Sequence, residues 1–165
     1  MNLIYKQPHK PALDQQTAIA RAKQYCIAQP RSHQELRDKL YDLGAWRNEV
    51  EYAIAEMIIG GYLSEERFAL DYVAKKFRQH GWGKIKLKKA LRDKRVPDKL
   101  ILQALNAIDQ GEYVQAMLKH AGKYIRHLKE RVTWRRKLKL TDFLLRQGFE
   151  YGVINEALKE ELLFL

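Results

Sequence analysis

Apolar positions recur along this chain in one pattern, three times over, at a spacing of about fifty residues. An Ala-x-x-Tyr-apolar run stands at Ala22/Tyr25/Cys26, Ala69/Tyr72/Val73 and Ala121/Tyr124/Ile125. Each run is followed by a Leu-x-x-x-Leu pair, at Leu36/Leu40, Leu87/Leu91 and Leu140/Leu144. Ten residues past the second leucine comes Val50, Ile101 or Ile154, and three and four residues further on come Ala53/Ile54, Ala104/Leu105 and Ala157/Leu158. An apolar i, i+3, i+4 pattern is one stripe of a helix, so each unit reads as three helices in the same order. The expected fold is all-α, a tandem array of three three-helix repeats, elongated and curved. Such arrays present a surface rather than enclose a pocket.

Local signals place the elements. Residues 1–13, with Pro8 and Pro11 and no periodicity, read as a flexible arm. The first module, residues 14–61, holds a helix from Asp14 (its N-cap) to Ala28. Pro30 breaks that helix. Ser32 and Glu35 have the spacing of a capping box for a second helix ending at Gly44, and a third runs from Arg47 to Ile59. The second module, residues 62–110, opens with Ser64 as cap and Glu65 and Glu66 in the first turn, where acids suit the helix dipole. Phe68, Tyr72 and Phe77 share one face of that helix and are expected in the core. Gly81-Trp82-Gly83 separates it from a helix at Lys84–Lys94, and Pro97 is expected in the first turn of the next. Gly111 is read as the join to the third module, residues 111–165. Its helices are expected at Glu112–Lys129, Thr133–Gln147 (capped by Thr133) and Tyr151–Leu163. No segment alternates as a strand would.

Charge changes the picture. The net charge of +11 is not spread evenly. Residues 1–74 carry nine basic and ten acidic side chains, and residues 140–165 carry two and five. Residues 75–139 carry twenty basic and five acidic, a local excess of +15. A field confined to the middle of a chain recruits polyanions or an acidic protein surface. On the Lys84–Lys94 helix, Lys84, Lys88, Arg92 and Arg95 recur at i, i+4, i+8 and i+11 along one exposed stripe, with Leu87, Ala90 and Leu91 inward. Lys75, Lys76 and Arg78 end the preceding helix, where cations also suit the dipole. A second cluster holds Arg126, Lys129, Arg131, Arg135, Arg136, Lys137 and Lys139, with Trp134 inside it. Arginine supplies bidentate contacts to phosphate or carboxylate. Trp134 reads equally as a stacking or anchoring residue and as helix packing.

The remaining chemistry is sparse. Cys26, the single cysteine, sits on an apolar face and reads as a small buried hydrophobe. His9, His33, His80, His120 and His127 form no metal-ligand spacing, and no phosphate-binding glycine loop is present. Glu65/Glu66 and Glu160/Glu161 are read as solvated acids at helix ends. No nucleophile has a base nearby in sequence. The expectation is a non-enzyme with no cofactor and no metal. It is also expected to lack membrane attachment, since no run approaches the roughly 20 apolar residues of a span and no signal peptide opens the chain. A cytoplasmic monomer is expected.

The run Gly61-Tyr62-Leu63-Ser64-Glu65-Glu66-Arg67-Phe68-Ala69-Leu70-Asp71-Tyr72-Val73, followed by Gly81-Trp82-Gly83, closely resembles the central signature of the bacterial RecX family. Ser32-His33-Gln34-Glu35-Leu36 with Lys39-Leu40 resembles that family's first module. Phe143-Leu144-Leu145-Arg146-Gln147-Gly148-Phe149 resembles the end of its third. The resemblance implies tandem three-helix repeats and a modulator of the RecA recombinase. Such a modulator would bind in the groove of the RecA–single-stranded-DNA filament and block its growth, suppressing strand exchange and coprotease activity. One departure stands out. Where the family commonly has Lys-Gly after the second module's leucine pair, this chain has Lys94-Arg95, so that helix end lacks its glycine cap. A basic helical nucleic-acid-binding protein acting without RecA is the alternative.

Overall fold

A computed structural model describes residues 13–129 and 133–161. The arm therefore lies outside the described residues except for Leu13, and so do Arg131 and the end of the last expected helix. Among the described residues there are nine helices and no strand: α1 (Gln15–Ala28), α2 (His33–Asp42), α3 (Arg47–Ile59), α4 (Glu65–His80), α5 (Lys84–Asp93), α6 (Asp98–Asn106), α7 (Gln110–His127), α8 (Thr133–Gln147) and α9 (Tyr151–Glu161). Contacts divide them into two compact units, one ending at Phe68 and one beginning at Ala69.

The threefold stripe is the core in both units. Leu36, Leu40, Leu87, Leu91, Leu140 and Leu144 are all buried, as are Val50, Ile101 and Ile154 ten residues on. The alanines of the Ala-x-x-Tyr runs are buried too, while Tyr25, Tyr72 and Tyr124 lie half-buried beside them. A helix three or four turns long is marginal in water alone, so this shared apolar face supplies most of its stability.

In the first unit, α1, α2 and α3 pack on one another around Ala18, Ala22, Leu36, Leu40, Val50, Ala53 and Met57. The Asp14 carboxylate accepts the Thr17 amide at 3.0 Å and caps α1. The capping box is complete: the Glu35 amide donates to Ser32 Oγ at 3.1 Å, and the Ser32 amide to Glu35 Oε2 at 3.3 Å. Glu65 departs from its expected role as a solvated acid. Its side chain accepts the His33 amide at 3.2 Å and faces His33 Nδ1 at 3.1 Å, so it serves the positive end of α2. Cys26 is buried, and that burial pushes its thiol above the ordinary value, as suits a packing residue.

In the second unit the α4–α5 turn meets the α8–α9 turn backbone to backbone. The Gly83 amide donates to the Gln147 carbonyl at 2.9 Å, and the Ile85 amide to the Gly148 carbonyl at 3.0 Å. Tyr113, fully buried on α7, packs its ring 6.0 Å from Phe77 and 5.2 Å from Phe149. Its hydroxyl accepts the Lys84 amide at 2.9 Å and donates to the Glu150 carboxylate. Burial, then that hydrogen bond, drives the phenol far above its ordinary value and keeps it neutral.

Three expectations shift by a few residues. Pro97 stands at the N-cap of α6, where its carbonyl accepts the Ile101 amide at 3.1 Å, rather than inside the first turn. Gly111 lies within the first turn of α7. The helix starts at Gln110 rather than Glu112, capped by Asp109, which accepts the Glu112 amide at 2.9 Å. Thr133 is the first described residue of α8, so a cap before it lies outside the described residues.

The missing glycine after α5 has a structural answer. Gly44 after α2 and Gly148 after α8 both have φ of 91°, and in each case the next amide reaches back to the second leucine of the pair: Ala45 to Leu40 at 3.0 Å and Phe149 to Leu144 at 3.2 Å. Arg95 adopts φ of 57° at the same place, and Val96 donates to Leu91 at 3.1 Å. Arg95 has the single positive φ outside glycine among the described residues. The left-handed conformation costs a non-glycine residue about 1–2 kcal/mol, against about 0.5–1 kcal/mol of extra backbone entropy for glycine. Arg95→Gly should therefore stabilise the second unit by about 0.5–1 kcal/mol, read as a raised urea midpoint at unchanged slope. A lowered midpoint would show that the Arg95 side chain more than offsets its backbone strain.

Candidate interface for a polyanionic partner

The second unit carries the basic excess, and its helices sort those cations into distinct settings. On α4, Lys75 and Arg78 are exposed, while Lys76 is half-buried with its Nζ 5.2 Å from the Trp82 ring and 5.9 Å from Tyr72. Lys86 also approaches Trp82, at 4.6 Å, and Lys94 approaches Tyr72 at 5.6 Å. Trp82 in the turn after α4 and Tyr72 on α4 itself are thus each approached by two ammonium groups, which are attracted to the ring faces. Tyr72, expected in the core with Phe68 and Phe77, is the partly open member of that trio; the two phenylalanines are buried.

The expected α5 stripe is less open than its periodicity suggests. Lys84 and Lys88 are half-buried, and Lys84 Nζ lies 4.9 Å from the Tyr113 ring. Arg92 is exposed but holds Asp98 through two hydrogen bonds of 2.8 and 3.0 Å, so its charge is partly answered. That carboxylate holds the guanidinium pKa up, and the guanidinium holds the carboxyl down. Arg95 is exposed at the left-handed cap. The outermost positions of α5 are Ile85, Lys89, Arg92 and Asp93, one step round the helix from the predicted line.

A second basic face emerges only in the folded chain. Lys119, Lys123 and Arg126 recur at i, i+4 and i+7 on α7, and all three are exposed. With Arg78 and His80 of α4, Lys119 and Lys123 line a groove of about 220 Å³ floored by His120. Of these residues, sequence reasoning singles out Arg78 and Arg126 and misses Lys119, Lys123, His80 and His120. Their only sequence signal is the spacing of two lysines on a helix otherwise read for its apolar face. Gly81 closes one end of the groove at φ 61°, where a Cβ would come within 1.8 Å of the His120 ring. Of the second cluster, Arg135 and Lys137 are exposed on α8 and Arg136 is half-buried. Trp134 is 63% exposed with the Arg135 guanidinium 5.2 Å from its ring, which removes helix packing as its main role.

Burial, then Lys123 and Lys119, lowers the His120 pKa below its ordinary value of 6.5. The unfolded chain binds this proton first as pH falls. The ring's contribution to stability is therefore present above pH 6.5 and lost as pH drops through the folded midpoint. A polyanion in the groove reverses the local field. In a ring-resonance NMR titration, His120 should titrate below 6.5 in the free protein and move upward when a short oligophosphate is added. An unmoved midpoint would mean that the groove holds no anion.

The arrangement can bind phosphate or carboxylate. Among the described residues no three His, Cys, Asp or Glu side chains gather as a metal site would require, and no helix is long and apolar enough to cross a membrane. Fold and surface together define an all-α three-helix-repeat protein with a basic face suited to an acidic partner. Residues 64–105 match the second three-helix domain of RecX, and residues 111–158 match the third. The chain is 30% identical over 141 residues to the regulatory protein RecX of Legionella pneumophila, covering 78% of this chain and 84% of that one. It is also 30% identical over 148 residues to the regulatory protein RecX of Bacillus licheniformis, where the match spans 89% of this chain but 56% of the relative. The crystal structure of RecX from Lactobacillus salivarius superposes with a TM-score of 0.84 at 22% identity, over 91% of this chain and 97% of that one. The chain belongs to the RecX family.

Proposed function

We propose that this protein is a regulator of the RecA recombinase. It binds the RecA–single-stranded-DNA filament in the cytoplasm and blocks filament growth, holding down recombinase and coprotease activity in DNA repair and the SOS response. It acts as a monomer and by binding alone, with no cofactor, through a basic module 2 and the basic first half of module 3. Family membership supports this reading, because the relatives carry the name regulatory protein RecX. The observation that carries it is the α7 stripe facing Arg78, a convergence of exposed cations in a groove whose lining holds one carboxylate, Glu112, against Arg78, Lys119 and Lys123.

A second reading, single-stranded nucleic-acid binding without RecA, draws on Trp82 and its surrounding lysines, a setting in which a base can stack. Binding to RecA filaments and to bare single-stranded DNA, each measured at several salt concentrations, separates the two. Bare-DNA affinity should collapse with salt through counterion release, while filament binding, supported by protein contacts, should lose less. Equal salt slopes and equal affinities would favour the second reading.

A further inference from the structure

The second unit has one more concavity of quite different chemistry, between α8 and α9. Leu140, Leu144 and Ile154 pack inward. Trp134, Leu138 and Thr141 recur at i, i+4 and i+7 on another line of α8 and form one wall of a groove of about 390 Å³. Tyr151, Ile154, Asn155 and Leu158 on α9 form the opposite wall. Three of these side chains are left open to a degree that large apolar residues seldom are: Trp134 63%, Leu138 55% and Tyr151 63%. A single exposed leucine is ordinary, whereas two helical stripes that converge on a shared cleft mark a contact surface. The size also falls in the range of about 300–1,000 Å³ typical of ligand clefts.

Charge narrows the occupant. Along the α8 side the cleft is bordered by Arg135, which leans over the Trp134 ring, and by Lys137, which lines the cleft itself. An apolar floor with cations on one rim matches an amphipathic helix whose polar face is acidic, the usual complement of a hydrophobic groove. Nucleic acid fits less well: Trp134 and Tyr151 offer planar faces, but aliphatic Leu138, Ile154 and Leu158 make up the rest of the apolar surface, and Lys137 is the single cation in the lining to answer a phosphate backbone. We infer that the α8–α9 groove docks an acidic, amphipathic protein segment that inserts apolar side chains between Trp134, Leu138 and Tyr151 and lays carboxylates on Arg135 and Lys137. The identity of its owner rests on the filament reading: the segment belongs to the recombinase. The groove would then recognise protein while the α7 stripe answers phosphate, two contacts of different chemistry on one unit.

The test is site-specific photocrosslinking with the full chain and RecA filaments on oligo(dT). Benzoylphenylalanine is placed at Leu138 in one preparation and at Lys119 in another. The Leu138 probe should crosslink to RecA, with the adduct mapping to a segment rich in Asp and Glu between apolar residues. An adduct of the Leu138 probe with DNA would make the groove a stacking site, and an adduct with residues 162–165 of the same chain would make it a self-covered face. Either outcome overturns the inference, as does an adduct on a RecA segment without acidic residues. Crosslinking from Lys119 with none from Leu138 rejects the groove but leaves the filament reading standing. No crosslink from either position removes both. Trp134→Ala supplies an independent measure: filament affinity should fall about tenfold, as for an aromatic anchor, with the melting temperature unchanged. Unchanged affinity in that variant would equally overturn the inference.

Discussion

Gly83→Ala should destabilise the second unit by about 3–5 kcal/mol, the largest effect expected from adding one methyl group to this chain. A Cβ at Gly83 would lie 2.2 Å from the Gly148 carbonyl carbon and 2.3 Å from the Phe149 nitrogen. Both are backbone atoms, so no rotamer change makes room. The two turns must part, and parting them breaks the Gly83–Gln147 and Ile85–Gly148 hydrogen bonds. Overpacking costs about 1–3 kcal/mol, and each buried hydrogen bond that breaks adds about 1 kcal/mol. That is a large share of the roughly 5–15 kcal/mol that holds a domain folded. Urea unfolding measures the loss, and hydrogen exchange should locate it, with the Gly83 and Ile85 amides losing protection first. A variant within about 1 kcal/mol of the parent would show that the turns can separate freely. The meeting of α4–α5 with α8–α9 would then be no constraint at all.

Reversing Arg78 and Lys123 together, as Arg78→Glu/Lys123→Glu, should weaken filament binding about 100-fold while leaving the fold intact. Both side chains are exposed, and exposed substitutions usually change stability by no more than about 0.5 kcal/mol each. Here the free protein also sheds some repulsion among Arg78, Lys119 and Lys123. Each charge-assisted hydrogen bond to a partner contributes about 1.5–3 kcal/mol, and two of them at the lower end of that range, about 3 kcal/mol, account for about two powers of ten in affinity. The salt dependence should flatten by roughly one unit of log–log slope for each phosphate that is no longer neutralised. Arg92→Glu is the internal control. Its guanidinium already holds Asp98, so its removal should matter less to binding and somewhat more to α5–α6. If the folded double variant inhibits RecA as well as the parent, the charge of the α4–α7 groove serves solubility and the partner lies on another surface.

Much of this protein is legible before any fold is seen, because its information is local. The Leu-x-x-x-Leu pairs and the residues ten positions on name the buried stripe of every repeat, and those leucines are among the least exposed residues of the chain. Caps are legible for the same reason, since the Ser32–Glu35 box and the Asp14 cap are bonds between residues three apart. Recognition of the family rests on such local runs, the longest from Gly61 to Val73. Periodicity does not say which positive charges stay free. Arg92 looks like its neighbours in the stripe until α6 brings Asp98 beside it, and Lys84 until α7 places Tyr113 under it. Lys119 and Lys123 become part of a site only where the end of α4 meets α7, a segment distant in the chain. The Arg95 backbone shows the opposite dependence. No local preference favours a left-handed arginine, yet Val96 must turn inward at that point, and burying it holds Arg95 in a conformation that glycine takes at the other two repeats. Helix, cap and core follow from contacts within a turn or two, which a linear pattern encodes. Free charge, groove and strain depend on what a distant segment brings alongside, and that is set only when the chain packs.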